Sequence, residues 1–350
     1  MKKRILFIIT KSETGGAQKF VYEQIIILSD TFDVYLASNK KGWLTDNSAD
    51  KVKSFFLDQG IEHTSITYLF RLRQYIKENK IDLVICNSAN GGFYGRLASF
   101  LICKAIYISH GWSSVYNGGK LSFILNFIER QLSFITTSIL CISKNDYNIA
   151  IMKIKIPERK LTTINNAILP FKNSIPNKFE KKQTYKLITL ARLAKPKRID
   201  LLIQAVKDIS YVQLIVVGDG PDSDRLKKNT QDRCVTNVLF LGEIKSFDKF
   251  SDYDFFVLIS DSEGMPMSAI EAMSFGMPLI LSNVGGCSQL ISNSGVLVEN
   301  EIDSIKKGIL ECIKNGKLFS RNSFIHYQAN FNLLIKKGIF INYYRSIINN

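Results

Sequence analysis

No stretch of this 350-residue chain approaches the ~20 consecutive apolar residues that a membrane-spanning helix requires. The longest greasy segment, 97–109, is interrupted by Lys104, and the opening run Ile5-Leu6-Phe7-Ile8-Ile9 is soon closed by Lys11. Lys2, Lys3 and Arg4 precede that run as they would in an export signal, but it is too short for one and reads as a first β-strand. Cysteine is sparse and scattered. Cys86, Cys103, Cys141, Cys234, Cys287 and Cys312 form no pair with metal-ligand spacing, and several lie inside apolar runs such as Val84-Ile85-Cys86. This argues against zinc and disulfides and for small buried hydrophobes in a reducing, cytoplasmic compartment. Internal repeats and low-complexity tracts are also missing, and 46% hydrophobic residues rule out a disordered chain. The last deficit is acid. Against 46 Lys and Arg stand 31 Asp and Glu, a formal charge of +15 that implies an anionic partner: nucleic acid, a phosphorylated substrate or acidic lipid. Part of the excess accompanies a general richness in Lys, Ile and Asn. No recognised motif favours nucleic acid.

What is present is a regular alternation of short apolar runs with amphipathic stretches, from Lys3 to about Glu299, the pattern of repeated βα units and parallel sheets. Such a length suits two domains of roughly 150–170 residues each. In the first half, strands are expected at 4–10, 33–37, 81–86, 105–109, 138–143 and 161–165, with helices at 17–28, 68–79, 93–103 and 121–134. Pro170, Pro176 and the basic cluster 178–182 interrupt the pattern and mark a linker. Strands then resume at 186–192, 212–218, 238–242, 254–260 and 278–283. The expected organisation is an α/β chain with two Rossmann-like, doubly wound domains: 1–170, a linker 171–185, 186–330, and a terminal helix within 331–350 able to cross back to the first domain.

The segment Ile259-Ser260-Asp261-Ser262-Glu263-Gly264-Met265-Pro266-Met267-Ser268-Ala269-Ile270-Glu271 carries the most chemistry. A buried strand ends near Ser260, a glycine-containing turn follows, and Pro266 suits the first position of a helix that Gly276 stops. Glu263 then lies in the loop above the strand and Glu271 on the helix. Helical side chains lean toward their own N-terminus, so the Glu271 carboxylate is expected to reach back toward Glu263. Paired glutamates at this spacing can be a solvated helix face. Here Glu271 sits between Ile270 and Ala272 in an otherwise apolar helix, where a charge needs a partner. Carboxylates accept hydrogen bonds from a vicinal diol, and the free amides of a helix start suit a phosphate; a sugar nucleotide offers both groups. Gly218-Asp219-Gly220 lacks the third glycine of a dinucleotide fingerprint, so nicotinamide is not expected.

This segment resembles the Glu-x7-Glu signature of GT-B glycosyltransferases, specifically the large retaining family 4. Gly15-Gly16, Ser109-His110-Gly111, Ala191-Arg192-Leu193 with Lys197, Gly218-Asp219-Gly220-Pro221 and Gly285-Gly286 all follow in the family's order, over nearly the whole chain. The resemblance implies two domains facing a central cleft and transfer of a hexose or N-acetylhexosamine from a nucleoside-diphosphate sugar, UDP-linked, to a saccharide hydroxyl. It further implies that Glu263 contacts the donor sugar, Glu271 the ribose, and Arg192 with Lys197 the diphosphate, whose departing charge they neutralise without a metal. Gly218, Gly264, Met265 and Pro266 fall in the donor-binding loops. Gly15 and Gly16 let the backbone approach the donor phosphate, and His110 meets the donor-sugar hydroxyls. The bland alternatives are an exposed basic turn for Arg192 and Lys197, an ordinary strand-to-helix turn for the glycines and a satisfied structural histidine for His110. Asp252-Tyr253-Asp254 looks like the metal-binding Asp-x-Asp of the other major glycosyltransferase fold, but it precedes a strand inside a βα repeat; no metal or cofactor is expected. Arg198, Ala167 and Gln289 depart from the pattern, which usually has glycine, glycine and glutamate there.

Between Gly91 and Lys160, Arg96, Lys104, Lys120, Arg130, Lys144, Lys153, Lys155, Arg159 and Lys160 outnumber three acids and interleave with Phe93, Tyr94, Phe100, Trp112, Tyr116, Phe123, Phe127 and Phe134. Basic and aromatic residues together suit anionic headgroups, so the expected location is the cytoplasmic face of the membrane, with a lipid-linked saccharide in surface-polysaccharide assembly as acceptor. A sugar-nucleotide epimerase of the same fold and a non-catalytic partner subunit are the rival readings.

Overall fold

Among the described residues of the computed structural model, which are 2–116, 119–171 and 179–349, thirteen strands form two sheets in which every neighbouring pair is parallel. Central strands of a parallel sheet are covered on both faces and therefore read as nearly continuous apolar runs. β1 (Arg4–Ile8) and β4 (Leu83–Asn87) show this in the first sheet, flanked by β2 (Asp33–Ser38), β3 (Val52–Leu57), β5 (Lys104–Ser109), β6 (Ser138–Cys141) and β7 (Leu161–Thr163) in the order β3-β2-β1-β4-β5-β6-β7. The second sheet holds β8 (Tyr185–Leu190), β9 (Val212–Val217), β10 (Val238–Gly242), β11 (Phe255–Leu258), β12 (Leu279–Ser282) and β13 (Gly295–Val298) in the order β10-β9-β8-β11-β12-β13.

In each sheet the order reverses at one place, between β1 and β4 and between β8 and β11. Open α/β sheets bind ligands at the carboxyl ends of strands beside such a switch.

Two strands, β3 and β13, fall outside the sequence expectation. β3 reads Val-Lys-Ser-Phe-Phe-Leu and lies at a sheet edge with most of its residues half-exposed; β13 is a four-residue edge strand. Lys53 and Ser54 break the apolar run of β3, and in β13 only Val296, Leu297 and Val298 follow Gly295. The 29-residue helix Ile302–Asn330 is a further element outside that expectation, and its Ile305, Ile309, Cys312 and Phe319 complete the second core beside Leu187, Val216, Phe255 and Ile280.

The chain divides into two compact units, 1–166 with 334–350 and 167–333. Crossings thus fall at 166/167 and 333/334 rather than in the expected linker. Both described ends of that linker belong to the second unit because their aromatic rings pack there: Phe171 against Phe250 and Phe275, Phe179 stacked on Tyr185 at 6.0 Å. The stretch 172–178, including Pro176 and Lys178, lies outside the described residues. The terminal helix Leu333–Asn349 is an element of the first unit, where Phe340 and Tyr344 are fully buried, Phe340 packs on Phe20 and the Tyr344 hydroxyl donates to Gln24 Oε1 at 3.1 Å.

Candidate functional site

In the second unit the loops that follow β8, β9, β11 and β12 are joined to one another by backbone contact. Leu193 N donates to Asp219 O and Asp222 N to Leu193 O, both at 2.9 Å. Gly218, at φ +133°, permits this approach, since a Cβ there would stand 1.9 Å from Ala191 O. Across the switch point, Lys197 forms an isolated bridge with Ser260, while Arg198 N donates to Ile259 O at 2.8 Å and Asp261 N to Pro196 O at 2.9 Å. The loop after β12 closes the set. Gly285, at φ +54°, would carry a Cβ 1.7 Å from Glu263 O, and Gly286 N donates to Gly264 O at 2.8 Å.

This framework brings the Lys197 ammonium against the Glu263 carboxylate as a direct ion pair, with Glu263 only 8% exposed. Arg192 stands exposed in the adjoining loop, and its guanidinium has no hydrogen-bond or ion-pair partner among the described residues. Met265 is buried. Pro266 proves to be the N-cap rather than the first helical residue of Met267–Ser274, its ψ of 117° being extended. Glu271 is 4% exposed within that helix. Cys287, fully buried after Gly285-Gly286, has its thiol pushed up by burial and by the nearby Glu263 charge. Arg198 is held by Asp200 at 3.0 Å and Asp261 at 3.4 Å, which leaves Arg192, Lys195 and Lys197 as the other cations of the loop.

In the first unit the switch-point loops are tied by side chains. Thr10 N donates to Ser88 Oγ at 3.1 Å, and Ser88 adopts φ +64°, a conformation disfavoured for a residue with a Cβ. His110, after β5, packs edge-on against Phe20 with ring centroids 4.9 Å apart. Its Nε2 lies 2.9 Å from Asn87 Oδ1, and because Asn87 Nδ2 donates to Ile85 O, the histidine Nε2 carries the proton and Nδ1 is the ring's acceptor. Burial lowers the His110 pKa to about 4, so the ring is neutral at physiological pH. Gly15 is extended, at φ 179°, and caps the helix Gly16–Leu28. A Cβ on Gly15 would meet only the flexible end of Gln18, and the space beside Gly16 is open. Sequence reasoning missed Asn87. A polar residue ending the apolar strand β4, buried and beside the switch point, was the available signal.

Of the expected basic and aromatic surface, Arg130, Lys144, Lys153, Lys155 and Arg159 are exposed, as are Phe93, Phe100, Phe123, Phe127 and Phe134. Tyr94, Trp112 and Arg96 are instead buried, Arg96 because Glu129 pairs with it at 2.9 Å. The side chains of Tyr116 and Lys120 lie outside the described set. Among the described residues no group of three His, Cys, Asp or Glu side chains could hold a metal, and no helix is long and apolar enough to cross a membrane. Asp254 accepts from Lys186 N at 2.8 Å and Lys182 Nζ at 2.6 Å, bonds that pin the start of β11. All six cysteines are unpaired.

Residues 171–330 match the family of glycosyl transferases group 1, and residues 14–170 match glycosyltransferase family 4. An O-antigen biosynthesis glycosyltransferase of Escherichia coli, WbnH, is 41% identical over 87% of this chain and 88% of its own. The chain belongs to the group 1 glycosyltransferases. A second E. coli member, the UDP-Gal:alpha-D-GlcNAc-diphosphoundecaprenol alpha-1,3-galactosyltransferase, is 29% identical over 83% of this chain and 82% of its own. The fold of this glycosyltransferase matches that of HepE from Anabaena, solved with UDP and glucose, at a TM-score of 0.84 and 17% identity, covering 98% of this chain and 100% of the other. Its two Rossmann-like domains are those of the GT-B class.

Proposed function

We propose that this glycosyltransferase moves a hexose or N-acetylhexosamine from a UDP-sugar to a hydroxyl of a lipid-linked saccharide, with retention of anomeric configuration, in O-antigen or related surface-polysaccharide assembly at the anionic cytoplasmic face of the membrane. One observation carries the reading: the Lys197–Glu263 ion pair and Arg192, whose guanidinium has no partner among the described residues, emerge from adjoining loops at the β8/β11 switch point.

Breaking the bond between the sugar's anomeric carbon and the diphosphate leaves negative charge on the leaving oxygen. A guanidinium without an internal partner and an ammonium held in place answer that charge with little reorganisation. The acceptor oxygen bonds to the anomeric carbon on the face the diphosphate leaves, and its proton passes to the departing phosphate oxygen, so no covalent nucleophile is needed. Glu263 accepts from donor-sugar hydroxyls and Glu271 from the ribose. The first domain presents the acceptor hydroxyl, with His110 Nδ1 as a neutral acceptor toward the sugar and Gly15-Gly16 beside the phosphate. No metal or cofactor is assigned. The names of the two E. coli relatives, and the UDP held by the Anabaena enzyme, support the choice of donor and acceptor.

A thermal-shift screen with UDP-, GDP- and ADP-sugars tests the donor, because ligand bound to the native state raises its melting temperature. UDP-sugars are expected to stabilise the chain and Glu271→Ala to abolish the shift. UDP should then be released rapidly only when a lipid-linked saccharide is supplied. Conversion of the donor with no acceptor would identify an epimerase, and no stabilisation by any nucleotide sugar would leave a partner subunit; either result overturns the proposal.

A further inference from the structure

The helix Ser122–Phe134 has its apolar face turned to solvent. Only Leu132 and Ser133 of it are buried. Its outward face carries Phe123, Ile124, Phe127, Ile128 and Phe134, at the i, i+1, i+4, i+5, i+11 spacing of a single helical stripe. Phe123 is 70% exposed, Phe127 61% and Phe134 60%. The helix's one acid points the other way: Glu129 accepts from Nη1 of Arg96, a fully buried arginine that also donates to Gly92 O at 2.8 Å and lies 4.3 Å over the Tyr107 ring. The exposed stripe therefore keeps Arg130 and no carboxylate. Beside it, the turn Ala150–Ile154 packs against the helix and exposes Met152 and Lys153, with Lys155 following.

Rotating this helix by half a turn would bury its aromatics and return Glu129 to water; the fold instead anchors Glu129 inward. A second copy of the chain on this face would set Arg130 and its basic neighbours against themselves, in a protein already at +15. An anionic bilayer accommodates both features, with acyl chains for the phenylalanines and phosphates for the cations. We propose that Ser122–Phe134 is a membrane-insertion element, lying in the interface plane with Phe123, Phe127 and Phe134 below the headgroups and Arg130, Lys153 and Lys155 among them. The purpose of this insertion rests on the lipid-linked-acceptor reading; its measurement requires neither donor nor acceptor.

The test is co-sedimentation of the full chain with vesicles of phosphatidylethanolamine and phosphatidylglycerol, beside pure phosphatidylcholine, at low salt and at ~0.5 M salt, where exposed charges are largely screened. The wild type is expected to bind the anionic vesicles and to retain part of that binding at high salt. Phe123→Ser with Phe127→Ser should weaken binding at least ~tenfold, because the interfacial anchorage scales with the apolar area inserted. The melting temperature and the UDP-sugar shift of this variant should stay at wild-type values. As a second measurement, Phe127→Trp should show a blue-shifted emission on adding anionic vesicles, read as the difference from wild type. Failure of the wild type to bind, equal binding by the double serine variant, an unshifted emission from Phe127→Trp, or a wild-type dimer that the serines convert to monomer would each overturn the proposal. Loss of the UDP-sugar shift in the wild type would sink the catalytic reading and leave the vesicle result standing.

Discussion

The two switch points of this glycosyltransferase are built from the same topology but fastened by different means. In the second domain the loops touch backbone to backbone through Gly218 and Gly285, and an ion pair between Lys197 and Glu263 spans β8 and β11. In the first, Thr10, Ser88, Asn87 and His110 join the loops through neutral side chains, and the space beside Gly16 is open. A rigid, charged frame favours a ligand whose own charge grows during reaction, because the stabilising groups need not rearrange. Neutral ties of this kind suit a ligand recognised by its hydroxyls, and the neighbouring loops carry the exposed pairs of Glu13 with Lys11 and Lys40.

If that contrast is right, the largest effects on turnover should come from the second domain. Arg192→Ala and Lys197→Ala are each expected to lower kcat by about 10²- to 10³-fold, the loss typical for one preorganised group at a developing charge. His110→Gln should cost less, because a neutral ring offers only a hydrogen bond. Steady-state kinetics with the preferred donor would reveal a reversed order, and a reversed order would break the comparison.

Stability should follow the glycines. Gly285→Ala must place a side chain at φ +54° with its Cβ 1.7 Å from Glu263 O. The backbone conformation alone costs about 1–3 kcal/mol, and displacement of the Glu263 loop adds to it. Gly16→Ala, facing open space at the start of a helix, is expected to change unfolding free energy by less than about 0.5 kcal/mol. It should weaken UDP-sugar binding if the backbone there approaches the phosphate. Urea titration of both variants beside the donor shift separates the outcomes. A destabilised Gly16→Ala, or one with full donor affinity, would remove the role assigned to that loop.

How much of this was legible follows the same division. The loops at the second switch point could be placed because motifs mark them: Glu263 between a strand and a helix, and Arg192 with Lys197 directly after a strand. The central strands were legible because parallel sheets demand unbroken apolar runs. Edge strand β3 was not, since a half-exposed edge tolerates Lys53 and Ser54, and β13 was not because its run is only three apolar residues long after Gly295. Arg96, Glu129 and the outward stripe of Phe123, Phe127 and Phe134 were hidden for a further reason. Helical periodicity shows that a helix has two faces and assumes that the apolar one turns inward; only the folded chain shows that here it does not.

The pH dependence of stability belongs to the first domain. Burial lowers the His110 pKa from the ordinary ~6.5 to about 4. Between those values the unfolded chain binds a proton that the folded chain refuses, so this residue removes stability as pH falls through the window. Asp146 acts in the opposite direction. Its buried carboxyl is raised to about 7, despite a hydrogen bond from Ser143, so over about pH 4–7 the folded chain keeps a proton the unfolded chain has lost, and stability falls as pH rises. In the wild type the two slopes offset each other across their shared range. Relative to wild type, His110→Gln should therefore shift the pH dependence toward greater stability in acid, and Asp146→Asn should shift it toward greater acid sensitivity. Above pH ~8.5 neither variant's slope should differ from wild type, since both groups are then deprotonated in the folded and unfolded chains. Denaturant unfolding at half-unit pH steps would show the two divergent slopes. Parallel slopes would mean that neither group titrates away from its ordinary value in the folded chain.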